Sequence, residues 1–230
     1  MKLFKLVAGI ILFCLDFLVV WSFPFRYVGS MLDKVYYLLF GLGCVIYLLV
    51  HVVRKPENFY VWNHEFSHLL ASKMFLKDVK GFHVTRRRGG KVVVEKTNFL
   101  IDLSPYLFYP LIIFLVLLAI LFRKAGFQAG IRAYFLAAGY LLTMMLAFTA
   151  KSFVSGQEDI KRNGYLFSAT VVLLLNFIIL PVYLLPGVIE KKVFIEDIIM
   201  LWFNSIKLNT QFIFEMAGNI YAGMTGTLSR

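Results

Sequence analysis

Of 230 residues, 60% are apolar and only 16% charged, with a mean hydropathy of +0.77. A soluble domain carries about 45–50% apolar and about 25% charged residues. Too little polar surface exists here to cover a globule, so a soluble enzyme and a disordered chain are both excluded, and much apolar surface must face lipid. The net charge of +11, from 24 Lys and Arg against 13 Asp and Glu, suits loops that meet anionic headgroups of a lipid bilayer. It does not point to nucleic acid, because the longest basic run, Arg86-Arg87-Arg88, adjoins Gly89-Gly90 and reads as a turn.

A helix needs about 20 apolar residues to cross a hydrocarbon core of about 30 Å, and six stretches are read as spans. Residues 3–23 form the first, interrupted by Asp16, to which no partner is assigned. Its basic start imitates a signal peptide, but the run is long and lacks a small-residue cleavage site. Residues 36–53 form the second. Cys14 and Cys44 lie inside these two runs and read as small hydrophobes with no disulfide framework. The third, residues 59–75, is short and carries Asn63, His64, Glu65, Ser67, His68, Ser72 and Lys73.

A β-hairpin is expected next, where residues 81–86 and 91–96 flank Gly89-Gly90. Its unpaired edges confine it to the interface or to a protein surface. The fourth span, residues 103–122, opens on Ser104-Pro105 as N-cap and first helical residue. Residues 131–150 form the fifth, and residues 165–185, with Asn176 and Pro181 inside, the sixth. Residues 194–208 read as an amphipathic helix on the membrane, and the polar, Gly-rich tail beyond Ala217 as loose.

The expected architecture is an all-α polytopic membrane protein with about six transmembrane helices and one interfacial β-hairpin. It forms one domain, with two N-terminal spans in 1–56, a core in 57–185, and an amphipathic helix and tail in 186–230. Six spans place Lys5, Arg54 and Lys55 on the side opposite the hairpin. The excess of Lys and Arg on the hairpin side then makes that side cytoplasmic. The many Lys, Phe, Ile and Asn residues suit an AT-rich bacterial genome, and hence a bacterial cytoplasmic membrane. The oligomeric state is not legible.

His64-Glu65-Phe66-Ser67-His68 is an H-E-x-x-H pattern, which this composition yields by chance in about 0.002 of such chains. On a helix, residues i and i+4 share a face, so both imidazoles can reach one Zn²⁺. Glu65 beside them can take a proton from water activated by the ion. Ionisable groups in an apolar segment are costly and mark function, although a hydrogen-bonded patch between helices would use the same residues. A catalytic zinc takes three protein ligands, so one more must come from elsewhere. Asp159, in Ser155-Gly156-Gln157-Glu158-Asp159, is the preferred third ligand, with Glu158 and Asp102 as alternatives on the same side. His83 and His51 read as interfacial residues, and Asn63 and Asn176 as helix–helix hydrogen-bonding groups.

An HExxH in a hydrophobic segment, followed by a hairpin, further spans and a late aspartate, resembles the site-2 protease family of intramembrane zinc metalloproteases. Residues 64–72 are similar to the family's H-E-F-G-H-x-x-x-A, and the resemblance covers residues 64–167. It implies zinc ligation by His64, His68 and Asp159, with Glu65 as the catalytic base. The substrate implied is a membrane protein or transmembrane peptide. The family's aspartate usually stands in Leu-Asp-Gly, whereas Asp159 is followed by Ile160 and no Asn-x-x-Pro precedes it, which marks a small, divergent member. A strand edge at Val92, Val93, Val94 and Glu95 could hold an unwound substrate segment. Two rivals remain. One is an HExxH protease acting outside the bilayer core with Glu158 or Glu190 as third ligand. The other is a non-catalytic metal-binding membrane protein, either an inactive protease relative or a transporter component.

Overall fold

The computed structural model describes residues 2–24, 32–85, 89–95, 97–107, 109–188 and 195–227. In chain order these form α1 (Lys2–Trp21), α2 (Lys34–Val53), α3 (Glu57–Met74), β1 (Val79–Thr85), β2 (Gly89–Val94), α4 (Phe99–Leu107), α5 (Pro110–Lys124), α6 (Gln128–Ser155), α7 (Glu158–Asn163), α8 (Tyr165–Val188) and α9 (Ile195–Thr227). The two strands pair antiparallel as the expected hairpin, with Phe82 opposite Val92 and His83 opposite Lys91. Arg86, Arg87 and Arg88, read as its turn, lie outside the described residues.

Among the described residues, four helices are long and apolar enough to cross a membrane: α1, α2, α6 and, over Tyr165–Leu184, α8. Helices α4 and α5 make a fifth only if a 56° bend between them is counted within one span. The third expected span, α3, is not among these helices, because Glu57, Glu65, Lys73 and six further polar side chains dilute its apolar character. The outward faces of the long helices stay apolar, with Phe4, Ile11 and Phe17 on α1 and Leu38, Leu49 and Val52 on α2 all exposed. Such faces are at home in lipid rather than water.

The bundle is organised by two parallel pairs. In the first, α2 packs along α6. Tyr36 stacks on Phe135 at 4.6 Å near their starts, and His51 meets Phe148 edge-on at 5.9 Å near their ends. The close approach needs glycine on both sides. A Cβ on Gly43 would overlap the Leu136 carbonyl oxygen, and one on Gly139 the Phe40 carbonyl oxygen. In the second pair, α1 runs along α8. Lys5 Nζ donates to Asn163 Oδ1 at 2.7 Å, Gly9 lies against Leu166 and Phe167, and Phe23 meets Phe177 further on. The start of α1 therefore stands at the same end as the turn into α8, not opposite it as an alternating six-span count requires.

Helix α3 lies across that same end. Its first turn meets the last turns of α6 through Glu57 Oε1 and Lys151 Nζ, 2.8 Å apart. Its middle meets α7, which directly follows α6. At the opposite end, buried Arg123 of α5 donates from Nε to the Pro186 carbonyl at 3.0 Å and from Nη2 to Tyr36 Oη at 3.3 Å. A guanidinium on the last carbonyls of α8 complements that helix terminus. Asp16 is buried in α1, and neither carboxylate oxygen has a hydrogen-bond partner among the described residues.

Two local expectations are corrected. The break before α5 occurs at Pro110, which takes the first helical position, while Tyr109 is extended at φ −104° and ψ 109°. Pro105 instead sits inside α4, and Ser104 is not its cap. Asn98 plays that part, its Oδ1 accepting the Ile101 N–H at 2.8 Å. The tail read as loose beyond Ala217 continues as helix to Thr227. Trp202 anchors α9 by donating from Nε1 to the Val19 carbonyl at 2.9 Å and by meeting Phe23 edge-on.

Substituting valine at Gly139 forces α2 and α6 apart. Overpacking of this kind costs about 1–3 kcal/mol, and for a chain of this size that is expected to lower the thermal midpoint in detergent by about 5 °C. Alanine at Gly41, where nothing lies within 4 Å of the added Cβ, is expected to leave the midpoint unchanged.

Candidate metal centre

Tyr60, His64 and His68 recur every four residues and therefore share one face of α3. The Tyr60 ring stacks on Phe148 of α6 at 4.2 Å. Its hydroxyl lies 3.2 Å from His64 Nδ1 and 3.4 Å from Ser152 Oγ. His68 Nδ1 lies 2.9 Å from the Ile101 carbonyl oxygen. A carbonyl only accepts, so Nδ1 is the donor in this bond, and Nε2 is the ring nitrogen left to face Asp159.

The Ile101 carbonyl is free for this purpose because of Pro105. Within α4, residue 105 would donate its N–H to the carbonyl four residues earlier, but proline has none. The orphaned oxygen accepts His68 Nδ1 and, at 2.8 Å, Ser104 Oγ.

The third group arrives from the turn between α6 and α7. Gly156 ends α6 at φ 65°, a left-handed conformation that favours glycine. Gln157 and α7 follow, and Asp159 Oδ2 comes to 3.6 Å from His64 Nε2 and 3.4 Å from His68 Nε2. These three ligand atoms lie within 4.8 Å of one another. A tetrahedral ion with bonds near 2.0–2.2 Å separates its ligand atoms by roughly 3.3–3.6 Å, the range of the two histidine–carboxylate separations. The protein thus places His64, His68 and Asp159 as a group able to hold a metal ion. Burial works against the charge on Asp159, but hydrogen bonding from His64 and His68 outweighs it and holds the carboxyl below the ordinary carboxylate range.

Helix α7 is itself braced. Asn163 Nδ2 donates to the Asp159 carbonyl at 2.9 Å and to Asp102 Oδ2 at 3.0 Å. Arg162 Nη1 lies 3.2 Å from Asp102 Oδ1. Asp102, an alternative third ligand, is thus engaged as the anchor of α7. Glu158, the other alternative, is exposed and outside the cluster. Glu190 lies outside the described residues.

Glu65 is buried beside the histidines and accepts a hydrogen bond from the Val92 N–H. Gly90 presses so closely that a Cβ there would overlap the Glu65 side chain. Strand β2 is therefore the hairpin strand facing the site. Of the four predicted strand residues, Val92 reaches Glu65, whereas Val94 pairs with Val79 and Glu95 pairs with Lys80 at 3.5 Å. Val93 lies opposite Gly81.

His83 is exposed on β1, and His51 hydrogen-bonds Tyr47 at 2.7 Å, so neither joins the cluster. Asn176 Nδ2 donates to the Tyr106 carbonyl at 2.7 Å, tying α8 to α4. The Asn63 amide is buried without a partner among the described residues. Sequence reasoning missed Tyr60, the Ile101 carbonyl and Tyr106, whose ring packs edge-on to His64 at 5.4 Å and whose hydroxyl donates to Gln157 Oε1. Only Tyr60 had a signal, its four-residue spacing from His64.

Fold and site together define a helical protein with helices long and apolar enough to cross a membrane and a candidate metal centre at one end of its bundle. The chain matches no protein-family model, no curated protein and no solved structure.

Pro105→Ala restores a helical donor to the Ile101 carbonyl and makes it compete with His68. Loss of an outer-shell partner typically costs 10–100-fold in metal affinity. Zn²⁺ titration of this variant is expected to show binding about tenfold weaker with the thermal midpoint kept or raised. Unchanged affinity would remove Pro105 from the site.

Proposed function

We propose that the protein is a zinc-dependent intramembrane endopeptidase, a divergent relative of the site-2 proteases, hydrolysing peptide bonds in or near transmembrane segments of membrane-protein substrates. The observation that carries this reading is the meeting of His64, His68 and Asp159 at ligand spacing with Glu65 on the same helix. Zn²⁺ held by His64 Nε2, His68 Nε2 and Asp159 Oδ2 would supply an electrophile that polarises the scissile carbonyl and acidifies water.

The chain's own residues carry the remaining roles. Glu65 takes a proton from the attacking water, a C–O bond forms at the carbonyl carbon, and the C–N bond breaks as Glu65 returns the proton to the departing nitrogen. The Ile101 carbonyl and Tyr60 keep both imidazoles turned toward Asp159. A helical substrate has its carbonyls already bonded and must unwind first. The β2 strand offers an extended partner beside Glu65 for the unwound segment.

The same reading places the site end toward the cytoplasm. Lys5, Arg54, Lys55, Lys151, Lys161 and Arg162 stand at that end, against Lys34, Arg123, Lys124 and Arg132 at the other. This distribution puts the larger number of named cations at the site end, as the positive-inside rule asks of a cytoplasmic face.

The reading is tested by measuring bound zinc and cleavage of a transmembrane reporter by purified protein. Wild type is expected to hold about one zinc per chain. Glu65→Gln should keep the metal and slow cleavage by about 10²–10⁴-fold, and His68→Ala should lose both. Full zinc and activity in Asp159→Ala would overturn the ligand set. Undiminished cleavage by Glu65→Gln would leave a metal-binding protein whose HExxH is not catalytic.

A further inference from the structure

Beside α7 lies a cavity of about 530 Å³, lined by none of His64, Glu65, His68 and Asp159, that the proposed hydrolysis does not use. Its mouth is basic: Lys5 of α1 and Lys161 and Arg162 of α7 converge on it. Its wall is apolar, built from Leu6, Leu166 and Phe167 where α1 and α8 begin their spans. Lys5 is held in place by Asn163 Oδ1 at 2.7 Å, by the Arg162 carbonyl at 3.3 Å and by the face of Phe167, 6.0 Å away. None of these partners is a carboxylate, so the ammonium is positioned without being neutralised. Lys161 is exposed and makes no ion pair among the described residues. Arg162 is paired with Asp102 through Nη1 alone.

Three cations therefore meet in one cavity against a single carboxylate, an arrangement that repels itself unless an anion enters. Of the carboxylates on α7, Asp159 faces the histidines, and exposed Glu158 makes no ion pair among the described residues. The cations share the cavity with the apolar side chains of Leu6, Leu166 and Phe167. A free phosphate would satisfy the mouth and leave that wall bare. A molecule with an anionic head and hydrocarbon tails satisfies both.

We propose that this cavity binds the headgroup of an anionic phospholipid, its phosphodiester against Lys5, Lys161 and Arg162 and its acyl chains along Leu6 and Leu166. The bound headgroup bridges α1 to α7, the helix that carries Asp159. Through Asn163 and Asp102 it joins the brace that already fixes that aspartate.

The test uses the full chain in detergent with acyl-labelled phosphatidylglycerol, and with equally labelled phosphatidylcholine as the zwitterionic comparison. Each basic residue near an anionic lipid contributes about a fivefold gain. Saturable binding of phosphatidylglycerol is expected, weakened about 25-fold in Lys5→Gln/Lys161→Gln and unchanged in Lys91→Gln on the hairpin. If the double variant does not fold, Lys161→Gln alone, which removes no described hydrogen bond, is expected to weaken binding about fivefold. Equal binding of both lipids, or unchanged affinity in these variants, overturns the proposal. Displacement by inorganic phosphate at the concentration at which unlabelled phosphatidylglycerol displaces the probe also overturns it, because the ligand is then a soluble anion.

Discussion

A backbone carbonyl without a helical donor decides the geometry on which the rest of the site depends. Pro105 withholds the N–H that would otherwise occupy the Ile101 oxygen, and His68 Nδ1 takes its place. That one hydrogen bond sets the tautomer and rotation of His68, leaving Nε2 as the atom that can face Asp159. Tyr60, anchored on Phe148 and Ser152, treats His64 in a comparable way from the same helix face. The candidate metal centre is thus assembled from α3, α4 and α7, and none of these can move without disturbing an imidazole or the carboxylate.

The carboxylate side is equally determined. An aspartate on a six-residue helix has little intrinsic stability behind it, so its position must come from tertiary bonds. The left-handed Gly156 turns the chain out of α6, and the pair Asp102–Asn163 ties the end of α7 back to α4. Asp102 is nearly inaccessible, and its two oxygens go to two different residues of α7. The residue that competed for the role of ligand is the one that holds the ligand's helix in place.

What was legible in the sequence was local. His64, Glu65 and His68 follow from a four-residue helical period, and the hairpin from β-branched runs around Gly89-Gly90. Asp159 was reached through chain order, membrane side and family resemblance, although it lacks the family's Leu-Asp-Gly setting. What was not legible depended on tertiary contacts. Ser104-Pro105 carries the chemistry of a helix start, yet Asn98 caps α4 and Pro110 opens α5, because a proline late in a short helix sacrifices one bond that His68 replaces. Arg123 counts as a loop charge in any sequence tally, but buried carbonyls at the end of α8 take it into the protein.

The topology illustrates the same limit and resolves it. The sequence reading counts residues 59–75 as a span despite their polar side chains. Had α3 crossed, α1 and α8 would run in opposite directions, and so would α2 and α6. Both pairs are instead parallel, one along Lys5–Asn163 to Phe23–Phe177 and the other along Tyr36–Phe135 to His51–Phe148. Each pair independently requires an even number of crossings between α2 and α5, and the short chain there, which includes the hairpin, leaves zero as the workable number. Helix α3 therefore stays at one end of the bundle with its nine polar side chains. This position spares His64, Glu65 and His68 the cost of the hydrocarbon midplane. It also brings the start of α1, with Lys5, to the same end as the metal centre.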